Sequence, residues 1–152
     1  MTVAEYLEQH CFTRDLPIPV REAVAQHSRL QEYPAGTWLF REGSPAQEFH
    51  LVVTGRVAVS MYAPGAGEQV VDTVEACETV GWSWLMPPYR WFFDARAVTD
   101  VVAVTVDAVE LRARAEADPA VGYALLRQVN TVMLSRLQAA RVRLADMYGV
   151  AS

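Results

Sequence analysis

The residues best suited to holding a small molecule lie between Val80 and Arg96: Gly81, Trp82, Ser83 and Trp84, then Arg90, Asp94 and Arg96. A glycine leading into a short helical turn offers unpaired backbone amides to an anion. An arginine close by can add two parallel N–H donors to the same phosphate or carboxylate. Each side chain here has two readings. Ser83 donates to an anion, or caps the turn that it opens. Arg90 holds the anion, or is a solvated loop arginine stacked on Tyr89 or Trp91. Asp94 accepts from a ligand hydroxyl, or caps a strand edge. Trp82, Trp84, Tyr89, Trp91, Phe92 and Phe93 crowd the same stretch. They either fill the interior or line a pocket and stack on a flat ligand.

Little else in the chain suggests chemistry. His10, His27 and His50 are far apart and no Cys/His pair has metal-ligand spacing, so the sequence offers no metal site; a haem held by one His or Cys is a minor alternative. No Ser or Cys stands in a recognisable catalytic context, lysine is absent, and the Pro64-Gly65-Ala66-Gly67 stretch is a hairpin tip and not a phosphate loop. The expectation is a protein that is not an enzyme and carries no cofactor beyond a cyclic nucleotide or other small anionic ligand. A net charge of -5 argues against nucleic acid as a partner, and too few residues follow the last helix for a helix-turn-helix. Cys11 and Cys77 read as reduced thiols, since two cysteines do not make a disulfide framework in 152 residues. The acidic N-terminal stretch and the lack of a membrane-length apolar run point to a cytoplasmic protein with no membrane partner.

The elements that must position these groups can be read from period and punctuation. Thr2 with Glu5 predicts a capped first helix, and Pro19 a second short helix to about His27 with Val20, Ala23, Val24 and His27 inward. From Tyr33 onward TWLF, EFHLVV, RVAVSMY, QVVDTV, DARAV and DVVAVTV are short extended runs divided by turn glycines. Asp107 with Glu110 opens a further helix, and Asp118-Pro119 opens a long one reaching about Tyr148. The predicted class is mainly β with flanking helices: an N-terminal helical segment (1–32), a jelly roll or double-stranded β-helix (33–106) and C-terminal helices (107–148), all one domain.

Along the last helix Leu126, Asn130, Met133, Leu137, Ala140, Leu144 and Met147 alternate spacings of four and three, the heptad seam of a coiled coil. Leu125, Val129 and Val132 form a second stripe facing elsewhere. One small β-domain does not easily cover both faces of so long a helix, so the seam predicts a homodimer, with ordinary core packing as the alternative.

The segment YPAGTWLFREGSPAQEFHLVVTGRVAVSMY resembles the first half of cyclic-nucleotide-binding domains of the catabolite activator type. Tyr33, Gly36, Phe40, Glu42, Gly43, Gly55, Val57 and Val59 fall in the family's register, and the likeness runs from about Pro19 to Tyr148. It implies a jelly roll whose pocket is closed by a phosphate-binding cassette and the C-terminal helix. In the family that cassette resembles Phe-Gly-Glu-Leu-Ala-Leu followed by an arginine strand, the glutamate accepting the ribose 2′-hydroxyl and the arginine pairing with the cyclic phosphate. Gly81 and Leu85 match, but Trp82 stands in the place of the glutamate, and an indole has no acceptor. Pro87 and Pro88 lengthen the loop, so that either Arg90 or Arg96 answers to the phosphate arginine. The helix position that reaches the base falls near Ala140 and Arg141. The resemblance therefore implies a dimeric regulatory domain binding a small ligand other than cyclic AMP. The alternative is a degenerate domain with a plugged pocket that serves as a protein-interaction module.

Overall fold

The structure, a computed structural model, describes residues 1–149. Helix α1 (Val3–Gln9) starts where the Thr2 hydroxyl accepts the Glu5 amide at 3.2 Å, and α2 (Ile18–Gln26) carries Pro19 in its first turn and buries Val20, Ala23 and Val24. Eight strands follow: β1 (Ser28–Tyr33), β2 (Trp38–Phe40), β3 (Glu48–Thr54), β4 (Val57–Ala63), β5 (Gly67–Val74), β6 (Thr79–Val80), β7 (Asp94–Ala97) and β8 (Val101–Asp107). They form two antiparallel four-stranded sheets, ordered β1-β8-β3-β6 and β2-β7-β4-β5, which is the jelly-roll arrangement expected. Inward-facing Val52, Val57, Val59, Val80, Ala95, Ala97 and Ala103 fill the space between them.

Two features depart from the sequence expectation. The roll begins at Ser28 and not at 33, because β1 pairs with β8 from Ser28↔Val106 to Tyr33↔Val101. Its burial does not alternate, Leu30 being 42% exposed, so its sequence shows no two-residue period. The cysteines are not reduced thiols: Cys11 and Cys77 are joined as a disulfide. Beside the bond the Val52 carbonyl accepts both the His10 Nε2–H (3.1 Å) and the Cys77 amide (3.0 Å). The bond ties the segment after α1 to the β5–β6 turn.

Helix α3 (Ala108–Ala117) is capped by Asp107, which accepts from the Glu110 amide, and α4 (Pro119–Met147) by Asp118, which accepts from the Ala120 amide. Val121, Leu125 and Val129 are buried against the core, and Val132 packs on it. The heptad seam faces away: Leu126, Met133, Leu137, Leu144 and Met147 are large apolar side chains left exposed, with Asn130 and Ala140 among them. None of the described helices is long and apolar enough to cross a membrane.

Candidate functional site

β6 leads directly into the turn that carries the candidate site. Gly81 sits at φ +92°, a conformation that side chains resist, and Ser83–Leu85 form a single 3₁₀ turn. The space below Gly81 is occupied by Trp91. Its indole stacks on Phe40 of β2 with ring centroids 4.1 Å apart, and a methyl group added to Gly81 would lie 2.5 Å from its Cη2 and Cζ3 atoms. Trp91 itself is 3% exposed. What remains is a cavity of about 40 Å³ among Trp82, Ser83, Thr79, Phe92 and Phe93. Pockets that take drug-sized ligands run to roughly 300–1,000 Å³. No guanidinium or carboxylate lines this space, and the Thr79 hydroxyl donates to the His50 carbonyl. Its chemistry is apolar, with the Ser83 hydroxyl at one wall.

The other expected ligand residues are dispersed. Trp84 does not line the cavity: it is fully buried on the far side of the turn, stacked on Phe49 at 4.6 Å, with its indole N–H unpartnered. Arg90 also lies outside, because the residues before it swing past the β2–β3 loop; its Nη1 donates to the Gly43 carbonyl at 2.7 Å. Asp94 accepts the Glu42 amide at 2.7 Å and the Arg41 guanidinium at 3.3 Å, which anchors that loop, and it does not line the cavity. Arg96, on the outward face of β7, lies over the Trp38 ring and 3.5 Å from Glu68. Arg141 is exposed on α4. Of the expected set, Gly81, Trp82 and Ser83 alone share the cavity.

Sequence reasoning named Trp91 among the clustered aromatics without its direction, and did not pair it with Phe40. A two-residue period was the available signal. Trp91, Phe93, Ala95 and Ala97 point inward or partly so, while Phe92 is 58% exposed, so extending the β7 alternation backwards aims Trp91 at the interior. Arg136 was missed too. It joins α4 to the sheet by pairing with Asp72 at 3.1 Å and Glu78 at 2.6 Å, next to the disulfide.

Deeper in, His50 of β3 stacks against Phe40 at 6.3 Å and meets the edge of Tyr33 at 5.3 Å. Its Nδ1 lies 3.0 Å from the Thr105 hydroxyl, which also meets Tyr33 Oη at 2.7 Å, while Nε2 is buried without a partner. Burial, with a smaller contribution from Arg29, pushes the His50 pKa down to about 3, so the ring is neutral. Burial also raises the Tyr33 pKa and lowers that of His10. Among the described residues no cluster of His, Cys, Asp and Glu is placed to hold a metal.

The comparisons with known proteins agree with this architecture. The chain is 27% identical over 125 residues to the CRP-like cAMP-activated global transcriptional regulator of Mycobacterium tuberculosis, covering 82% of this chain and 54% of that protein. It thus spans about half the length of the curated relatives it matches. Its fold superposes on a cyclic nucleotide-binding domain from Methylobacillus flagellatus with a TM-score of 0.81 and 16% identity, over 96% of this chain and 86% of that one. A Geobacter metallireducens protein, provisionally assigned to cyclic nucleotide binding, gives a TM-score of 0.81 at 28% identity, over 90% and 99% of the two chains. The cyclic nucleotide-binding domain profile matches residues 30–118, more than half of the chain, with the two sheets, the glycine turn and the closing helices in place; the chain belongs to the cyclic nucleotide-binding domain family.

Proposed function

We propose that this chain is a non-catalytic regulatory domain of the family whose nucleotide pocket is closed by its own aromatic side chains, and which works through protein contacts along α4. One observation carries the reading: Trp91, wedged between Phe40 and the bare Cα of Gly81, occupies the interior and leaves about 40 Å³. Two further facts support it. Trp82 offers no acceptor where the resemblance calls for a carboxylate, and neither Arg90 nor Arg96 lines the cavity. The exposed Leu126–Met147 seam supports a homodimer, since a contiguous apolar stripe of that length is costly to leave in water. In this reading the domain is an assembly module in a regulatory protein.

Calorimetric titration of the protein with cyclic AMP and cyclic GMP tests the proposal. No saturable heat is expected from either. Losing one charge-assisted hydrogen bond alone costs about 1.5–3 kcal/mol, or roughly tenfold to a hundredfold in affinity, before the steric block by Trp91 is added. Sub-micromolar binding of either nucleotide overturns the closed-pocket reading.

A further inference from the structure

On the outer side of the cassette turn lies a second cavity, of about 270 Å³, whose walls include Ala46, Gln47, Tyr89, Arg90, Val109 and Arg112. It is several times larger than the space left inside the roll. Two guanidiniums reach it from separate elements, Arg90 from the loop before β7 and Arg112 from α3. Neither forms an ion pair with a carboxylate among the described residues.

Both are nonetheless fixed in place. Arg90 donates to the Gly43 carbonyl; Arg112 donates to the Trp84 carbonyl at 2.5 Å and stacks on the Tyr89 ring at 4.0 Å. A guanidinium has five N–H donors, so each keeps donors for another acceptor. Tyr89 holds φ +57°, a region that bulky residues seldom enter, and is locked there from both sides. Its amide donates to the Met86 carbonyl and its carbonyl accepts from Ala46. Guanidiniums tethered by backbone carbonyls and unpaired with carboxylates in a concave wall are oriented for an oxyanion.

We propose that this cavity binds the phosphate group of a small molecule, free or esterified, between Arg90 and Arg112, with the Gln47 amide and the Val109 side chain available to the remainder of the ligand. Such a ligand bridges the cassette loop to α3. α3 in turn packs closely on α4, where a methyl group on Gly122 would come within 2.7 Å of the Ala115 carbonyl oxygen. The site shares no lining residue with the cavity inside the roll.

Amide chemical-shift titration of the ¹⁵N-labelled chain at constant ionic strength, with inorganic phosphate in one arm and ribose 5-phosphate in the other, tests the proposal. Saturable shifts are expected at Ala46, Tyr89 and Val109. Tighter binding of the ester identifies a sugar phosphate as the ligand and equal binding identifies the free ion; either result supports the site. Arg90→Gln and Arg112→Gln should each weaken binding about tenfold or more, while Arg56→Gln, on the β3–β4 turn, leaves it unchanged. Arg90 is exposed, so its variant decides the matter if Arg112→Gln disturbs folding. Absence of saturation at tens of millimolar, shifts confined to Gly81–Ser83, or binding untouched by Arg90→Gln overturns it.

Discussion

Replacing Gly81 with alanine tests the proposed closure of the pocket. Two costs arise, and they are separable. The backbone at φ +92° suits glycine, and forcing an L-residue into left-handed geometry costs about 1–2 kcal/mol. The new Cβ would also lie 2.5 Å from the Trp91 Cη2 and Cζ3 atoms, against roughly 3.5–4.0 Å for an ordinary carbon contact. The indole cannot retreat freely, because its ring is stacked on Phe40 at 4.1 Å, so overpacking adds about 1–3 kcal/mol. Together these give a loss of roughly 2–5 kcal/mol, which in a domain of this size lowers Tm by about 4–20 °C. Trp91→Phe trims the ring atoms that the alanine methyl would strike while keeping an aromatic face for Phe40. In that background Gly81→Ala should lose only the backbone part. Urea unfolding followed by circular dichroism on wild type, both single variants and the double variant closes the cycle. The expected coupling is about 1–3 kcal/mol, with the double variant more stable than the sum of the singles predicts. Additivity within about 0.5 kcal/mol would mean that Trp91 does not rest on Gly81, and the closed-pocket reading would lose its basis.

The remaining predictions concern the rest of the fold. Light scattering should give twice the chain mass for the wild type and a monomer for Leu137→Glu, since Leu137 is 55% exposed on the α4 seam; a monomeric wild type refutes the dimer. His50 is held neutral at a pKa depressed from 6.5 to about 3, so the unfolded chain binds a proton at pH values where the folded chain does not. Stability is therefore full above about pH 6.5 and falls progressively toward about pH 3, and the lowered pKa of His10 acts in the same direction. Urea midpoints should flatten over that range in His50→Gln, and an unchanged slope counts against a neutral buried ring. The Cys11–Cys77 bond closes a loop over a separation of 66 residues, for which chain entropy predicts about 4 kcal/mol. Dithiothreitol should lower the urea midpoint of the wild type but not of Cys11→Ser/Cys77→Ser, and a midpoint insensitive to reductant refutes the bond.

The fold was largely legible because its signals are local. Capping pairs at Thr2–Glu5 and Asp107–Glu110, the Asp118-Pro119 start and the glycine-punctuated β-rich runs each depend on a few neighbouring residues, and each appears where expected. What stayed hidden depends on distant partners. β1 is a strand because β8 lies beside it, and its own residues show no alternation. The disulfide joins residues 66 apart in sequence, beside a Val52 carbonyl that accepts from both His10 and Cys77.

The candidate site was legible in content but not in direction. The sequence places six aromatics and two arginines around one glycine turn, and composition alone is compatible with an open, stacking pocket or a filled one. Which reading holds depends on where each ring points. Trp84 and Trp91 are seven residues apart yet serve opposite sides of the turn, one stacked on Phe49 of β3 and the other on Phe40 of β2. The irregular loop between them breaks any period that could carry the direction of one to the other. The same geometry settles the arginines: with Trp91 turned inward, its neighbour Arg90 is carried outward to the Gly43 carbonyl. Closing the inner cavity and placing a guanidinium on the outer face are thus one structural event, and a substitution that turns Trp91 out of the roll should displace Arg90 as well.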